Sequence, residues 1–149
     1  MAEVGFYHLL AMTVDRALPR LLERALTENQ RILVVAGSAE RVDYLNGLLW
    51  TYDEASFLPH GAARDGSAAR QPIWLAAADE NPNGATWVML IDGARADLTR
   101  YRRCFDIFDG NDAAAVAAAR QRWSEAKAAG HDLTYWQQTD RGWERKAKA

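Results

Sequence analysis

The sequence predicts a single α/β domain of Rossmann-like type, in which a mostly parallel sheet is flanked by helices. Three observations lead to this prediction. Short apolar runs alternate with stretches of helical periodicity in the first fifty residues. Residues 31–37 (RILVVAG) are continuously apolar, which is typical of a strand buried on both faces of a parallel sheet. A chain of 149 residues is long enough to bury a sizeable core as one domain.

The first half of the chain predicts a strand, a helix, a second strand and a second helix. Residues 4–10 (VGFYHLL) suit the first strand, and Thr13 then provides an N-cap for a helix with leucines at helical spacing to about residue 29. Pro19 lies inside that stretch and predicts either a later start or a kink. After the second strand, Ser38 caps a helix that leads to Trp50.

The second half is less regular. Residues 61–71 predict a flexible loop, and residues 72–77 and 85–91 predict two buried strands. Residues 97–103 predict a short helix, and residues 104–108 predict a further strand. Asn111 or Asp112 caps an alanine-rich helix that runs to about Ala129, where Gly130 suits its end. From about residue 142 the basic end of the chain is expected to be a frayed, disordered tail.

Composition argues against several classes of protein. The net charge is −2, with 18 Lys and Arg against 20 Asp and Glu, so direct nucleic-acid binding is not expected. Cys104 is the only cysteine, which excludes a disulfide framework within the chain. The sequence has neither a long apolar run nor a basic, then apolar, N-terminus. These features predict a reduced, cytoplasmic protein without a membrane partner.

The sequence does not predict an enzyme. The turn after the first strand, residues 8–13, contains no glycine and therefore lacks a nucleotide-binding fingerprint. His8, His60 and His131 are far apart, and no pair has the spacing of a helical zinc motif. Cys104 in an apolar strand is a poor catalytic nucleophile. We therefore expect no catalytic residue, metal or cofactor.

Two groups of residues point to partner proteins. Trp50, at a helix end, is followed by residues 56–60 (SFLPH); these aromatic and proline residues either close the core or anchor a partner. On the late helix, Arg120, Trp123 and Lys127 share one face among alanines. That face is either solvated, with Trp123 turned into the core, or a site for an acidic peptide that ends in an apolar residue and a free carboxylate.

At these places the sequence resembles the chi subunit family of bacterial DNA polymerase III holoenzyme, and the resemblance covers nearly the whole chain. The most specific element is a tryptophan followed shortly by Ser-Phe-x-Pro-His. The matching residues are Phe6-Tyr7, residues 31–36, Leu48-Leu49-Trp50, residues 56–60, Ala119-Arg120-Gln121-Arg122-Trp123 and Ala129-Gly130.

The resemblance implies a non-catalytic adaptor of the clamp-loader assembly with two protein partners. One surface would bind the psi subunit, and Trp50, Phe57, Pro59 and His60 match that surface. Another would bind the acidic C-terminal tail of single-stranded DNA-binding protein.

For the tail site, Arg120 and Trp123 match the arginine and the aromatic residue of the family, and Phe108 would supply a neighbouring apolar wall. The chain departs from the family pattern at Val116, where the family has a lysine, and Lys127 would replace part of the lost charge.

Two alternatives stay open. An accessory factor could bind a repair helicase through the surface of Trp50 and Phe57. A small-molecule-binding or nucleotide-binding α/β enzyme is the other alternative, and the glycine-poor first turn argues against it.

Overall fold

The computed structural model describes residues 2–52 and 59–149. Within these residues, eight strands form one sheet and three α-helices pack against it. The strands are β1 Glu3–Leu9, β2 Ile32–Val35, β3 His60–Ala62, β4 Ile73–Ala76, β5 Trp87–Leu90, β6 Arg103–Asp109, β7 Asp132–Thr139 and β8 Gly142–Lys148. The helices are α1 Val14–Thr27, α2 Ala39–Thr51 and α3 Ala113–Ala128.

The sheet has the order β3-β4-β2-β5-β6-β1-β7-β8, and every neighbouring pair is parallel except β7 and β8. The apolar side chains of α1 and α2 pack on one face of the sheet, and those of α3 pack on the other. The prediction of a Rossmann-like α/β domain with a mostly parallel sheet is confirmed.

The predicted caps of the first two helices are present. Thr13 Oγ1 accepts a hydrogen bond from the amide of Arg16, and Ser38 Oγ accepts one from the amide of Arg41. Helix α1 begins at Val14, so the later start that Pro19 suggested is not found. Pro19 lies in the second turn with its ring buried, where the apolar contact offsets the missing amide hydrogen bond.

The largest difference from the sequence-based expectation is at the C-terminus. Residues 142–148 form β8 and pair with β7, instead of a frayed tail. Leu133 and Ala149 exchange two backbone hydrogen bonds of 2.9 Å, which fix the end of the chain. Strand β8 is an edge strand whose charged side chains oppose pairing with other chains.

A smaller difference lies in residues 61–71, which the composition predicts as a loop. The chain instead adds the short parallel strand β3 and two 3-10 helices, Ala63–Asp65 and Ala68–Arg70. Predicted residues 97–103 also form only one 3-10 turn, Leu98–Arg100, before β6 begins. In the described part of the chain, no helix is both long and apolar enough to span a bilayer.

Candidate functional site

Helix α3 provides the first candidate site. Asp112 caps its N-terminus, because the carboxylate accepts hydrogen bonds from the amides of Ala114 and Ala115 at 3.0 and 3.3 Å. Three small or polar side chains on one face are buried against the sheet: Ala119, Arg122 and Ala126. Half of the 16 residues of the helix are alanine, so the larger side chains define its surface.

Two arginines of α3 have different environments. Arg122 is buried and forms a bidentate ion pair with Asp106 of β6, with Nε–Oδ2 and Nη2–Oδ1 distances of 2.6 and 3.0 Å. Burial raises the pKa of Asp106, and the charge of Arg122 opposes that shift. Arg120 is exposed, and no carboxylate of the described residues forms an ion pair with it. Arg120 is therefore free to pair with an anionic ligand.

Trp123 connects the helix to the sheet. Its ring is half-buried and makes edge contacts with Phe6 of β1 and Tyr135 of β7, at centroid distances of 5.4 and 5.8 Å. One side of the ring packs on the core while the rest meets solvent, so Trp123 is only partly turned into the core. Phe108, the predicted apolar wall, is only 4 % exposed and contacts Tyr135 at 6.1 Å. Tyr135 thus lies between the two predicted aromatic residues.

Val116 and Lys127 mark the two ends of this surface. Val116 is half-buried and packs against the core beneath α3. Lys127 is exposed in the last turn of the helix. Because Arg120 and Lys127 are seven residues apart, their backbones are separated by roughly 10 Å along the helix axis. Lys127 therefore extends the positive surface toward the end of the helix. It does not lie at the position of Val116, where the family pattern has a lysine.

Two residues of this surface were not predicted from the sequence. His8 Nδ1 lies 2.6 Å from the hydroxyl of Tyr135, and the His8 ring contacts Phe108 at 5.2 Å. Burial lowers the pKa of His8, and the nearby charge of Arg120 lowers it further, against a hydrogen bond with the backbone of Gly110. Burial raises the pKa of Tyr135. In β1, His8 shares a face with Phe6, and Tyr7 lies on the other face. Only the strand pairing reveals that the face of His8 lies against α3.

The second candidate site is at the end of α2. The side chain of Trp50 is 56 % exposed, and its ring lies 4.5 Å from the ring of His60, centroid to centroid. His60 is 2 % exposed and lies 3.0 Å, through Nε2, from the carbonyl oxygen of Asn46. Pro59 is half-buried. Phe57, the fourth residue predicted for this surface, lies outside the described residues.

The carboxyl end of β1, where a Rossmann-like fold commonly binds a nucleotide, is filled by the protein itself. Gln138 Oε1 accepts hydrogen bonds from three consecutive amides, those of Leu10, Ala11 and Met12, at 3.1, 2.9 and 3.2 Å. The amide of Gly110 donates to the carbonyl of Leu9 at 2.7 Å. A Cβ atom at Gly110 would lie only 2.0 Å from the His8 ring, so the loop packs directly on β1. The three amides of the turn after β1 are therefore already occupied by Gln138.

The cysteine and the metal-ligating side chain types are further candidates for a functional site. Cys104 is fully buried, and burial raises the pKa of its thiol to about 12, so the thiolate form is not accessible near neutral pH. Within residues 2–52 and 59–149, no cluster of three or more His, Cys, Asp or Glu side chains could hold a metal ion.

Comparisons with known proteins cover most of the chain. The model of the family described as DNA polymerase III chi subunit, HolC, matches residues 1–134. A relative from Rickettsia prowazekii (strain Madrid E), named probable DNA polymerase III subunit chi, is 31 % identical over 91 residues. The aligned segment is 61 % of this chain and 55 % of the relative, so the match spans about half of the relative's length. Because the family model matches residues 1–134, from β1 to the start of β7, this chain belongs to the DNA polymerase III chi subunit family.

Proposed function

We propose that the chain is a non-catalytic adaptor in bacterial DNA replication, which links the psi subunit to the C-terminal tail of single-stranded DNA-binding protein. The observation that carries the tail-binding part is the exposed guanidinium of Arg120 beside the partly open aromatic surface of Trp123 and Tyr135. A positive charge next to a shallow apolar surface suits a peptide that is acidic and ends in an apolar residue with a free carboxylate.

The roles of the residues follow from their exposure. Arg120 pairs with the terminal carboxylate or an acidic side chain of the peptide, and the last apolar residue packs on Trp123 and Tyr135. Phe108 is buried, so it holds Tyr135 in place instead of contacting the peptide broadly. Lys127 contributes a weaker, longer-range attraction to the acidic residues that precede the peptide's end.

The strength of such a site is modest. An exposed ion pair contributes at most about 1 kcal/mol, and salt screens it. Binding of one tail is therefore weak and salt-sensitive. An oligomeric tail donor raises the effective concentration of tails near the adaptor, and this multivalency supplies the affinity needed in replication.

The proposed psi-binding surface is centred on Trp50. A tryptophan with more than half of its surface exposed is unusual for a core residue and typical of an interface anchor. The ring of His60 contacts Trp50 and limits its orientations. Helices α2 and α3 pack on opposite faces of the sheet. The two proposed partners therefore reach separate surfaces, and both can be bound at once.

The tail site is tested by fluorescence anisotropy with a labelled acidic C-terminal peptide of single-stranded DNA-binding protein. We expect wild-type binding in the micromolar range, a loss of about fivefold or more in Arg120→Ala, and further weakening in high salt. Arg70→Ala is the matched control, because Arg70 is an exposed arginine near the other edge of the sheet. Amidation of the peptide's C-terminus should mimic Arg120→Ala if the guanidinium binds the terminal carboxylate. Equal binding by Arg120→Ala and Arg70→Ala would refute the site.

The psi surface needs a separate test, by co-purification of the chain with a psi subunit. Trp50→Ala should abolish psi retention and leave tail-peptide binding unchanged. Arg120→Ala should weaken tail-peptide binding and leave psi retention unchanged. If the chain retains a repair helicase through Trp50 but no psi subunit, the helicase-associated alternative is correct and the psi proposal is wrong.

A further inference from the structure

One face of the sheet near its β8 edge is not covered by a helix in the described part of the chain. Helix α1 packs over β6, and the adjoining strands β1, β7 and β8 continue beyond it on the same face. Two neighbouring clefts of about 170 and 410 Å³ lie there and share Tyr7, Arg103 and Trp136 in their walls. We refer to these clefts together as the open face.

Aromatic rings form the floor and walls of the open face. The rings of Tyr7 and Trp136 are nearly parallel, at 9° and a centroid distance of 6.5 Å. Trp143 of β8 stands at 89° to Tyr7, with the centroids 5.2 Å apart. Trp136 and Trp143 are half-buried and so present part of each ring to solvent. A hydrogen bond of 3.0 Å from Trp136 Nε1 to Thr134 Oγ1 fixes the orientation of the Trp136 ring.

A glycine keeps this face flat. A Cβ atom at Gly5 would lie 2.8 Å from a ring carbon of Tyr7, so the Tyr7 ring lies across the position that a side chain would occupy. The Tyr7 ring is itself buried and forms a flat base beneath the clefts, while the rings of Trp136 and Trp143 are the ones that meet solvent.

Charged side chains of both signs surround the rings, with one more cation than carboxylates. The guanidinium carbon of Arg103 lies 4.9 and 4.7 Å from the ring centroids of Trp87 and Phe105, and these cation–π contacts hold it at the cleft. Four cations and three carboxylates line the two clefts: Arg24, Arg103, Arg145 and Lys148, with Glu3, Glu28 and Asp132. Within residues 2–52 and 59–149, none of these seven groups takes part in an ion pair.

We propose that the open face binds single-stranded DNA. Bases stack on Trp136 and Trp143, and backbone phosphates contact Arg103 and Arg145. Aromatic side chains within a cationic groove are the usual means of binding unpaired strands without sequence preference, because every base has a π-face. Duplex DNA cannot use this surface in the same way, since its bases are already stacked. An acidic peptide would engage the cations but would leave the ring faces unused.

The proposal differs from what the net charge of the chain predicts. A charge of −2 describes the whole molecule, whereas a phosphate backbone meets only the local arrangement of side chains. The three carboxylates at the clefts partly offset the cations, so binding should be weak and dependent on stacking. The proposal does not depend on the tail-binding site, which lies on the other face of the sheet.

The test is anisotropy titration of a labelled ten-nucleotide oligo-dT with the full chain at low salt, in the absence of other proteins. Trp143→Ala should weaken binding by about fivefold or more, as expected for the loss of one stacking platform. Arg145→Gln should reduce the slope of log K against log salt concentration by about 0.7, as expected for the loss of one phosphate contact. Lys146→Gln is the matched control, because Lys146 is the next residue of the same exposed strand and does not line the clefts.

Further ligands distinguish the sources of binding. A blunt duplex of the same length and a labelled polyglutamate should bind at least several-fold more weakly than oligo-dT. Thermal unfolding of each variant verifies that it is folded. No binding of oligo-dT by wild type, equal binding of polyglutamate, or equal effects of Arg145→Gln and Lys146→Gln would each overturn the proposal.

Discussion

The two faces of strand β1 differ in how they use aromatic side chains. Phe6 and His8 face α3, where Phe6 contacts Trp123, His8 contacts Tyr135, and a buried ion pair lies beneath the helix. Tyr7, between them in sequence, faces the open side with Trp136 and Trp143. Where a helix covers the sheet, the aromatic side chains are buried except at the edge of the helix. Where no helix covers the sheet, the rings stay partly exposed and can contact ligands. We therefore expect the α3 face to contribute more to stability, and the two faces to bind different ligands.

The largest effect is expected from breaking the ion pair under α3. Arg122→Leu leaves the Asp106 carboxylate buried without its partner and should lower the free energy of unfolding by about 3–5 kcal/mol. Urea denaturation followed by circular dichroism measures this change. Arg95→Gln is the control, since it removes the exposed ion pair between Arg95 and Glu125 next to the same helix. We expect no measurable change in the control, and equal losses in the two variants would contradict the assignment.

The next effect concerns the turn where the chain leaves β1. Gln138→Ala removes one buried oxygen that accepts three backbone hydrogen bonds, which should cost about 1–3 kcal/mol of unfolding free energy. Gln137→Ala, one residue earlier in β7, is a matched control at a half-buried position. Faster hydrogen exchange at the amides of Leu10, Ala11 and Met12 only in Gln138→Ala would verify the mechanism, and unchanged exchange would refute it.

The smallest effect is a pH dependence of tail-peptide affinity, which we expect on the α3 face and not on the open face. The pKa of His8 lies below its ordinary value, so the ring is neutral at pH 7.5 and gains a proton only as the pH falls below about 6.5. The added charge lies beside Arg120, Tyr135 and Asp109. Affinity for the acidic tail peptide should rise about twofold to threefold between pH 7.5 and 5.5, because the peptide's carboxylates remain ionised in that range.

The same protonation should destabilise the fold. A histidine whose pKa is lowered in the native state binds its proton more readily in the unfolded chain, so the stability that it contributes is lost as the pH falls. His8→Gln should remove both effects. Binding of oligo-dT to the open face should show neither, since His8 is on the other side of β1. A pH dependence that persists in His8→Gln would assign it to another group.

The elements that local patterns specify could be predicted. The continuous apolar run of β2 and the hydroxyl caps at Thr13 and Ser38 depend on neighbouring residues alone, and the structure contains them. The β7–β8 hairpin could not be predicted, because its strands are rich in polar and charged residues. Strand β7 is held by pairing with β1, which is more than a hundred residues away, and β8 is held by pairing with β7.

The candidate sites were predictable to different degrees. Arg120 and Trp123 stand out by spacing on one helix. The contributions of His8 and Tyr135 come from two strands that only tertiary pairing brings together. The burial of Arg122 has a signal in its spacing from Ala119 and Ala126, three and four residues away, but its partner Asp106 lies in a different element.

The most direct test of the two-face account uses the indole N–H signals of the six tryptophans in a heteronuclear NMR spectrum, assigned by Trp→Phe variants. Titration with the acidic tail peptide should shift the Trp123 signal and leave those of Trp136 and Trp143 in place. Titration with oligo-dT should shift Trp136 and Trp143 and leave Trp123 in place. If both ligands shift the same signals, or if each shifts the opposite set, the two faces of β1 are not separate binding sites.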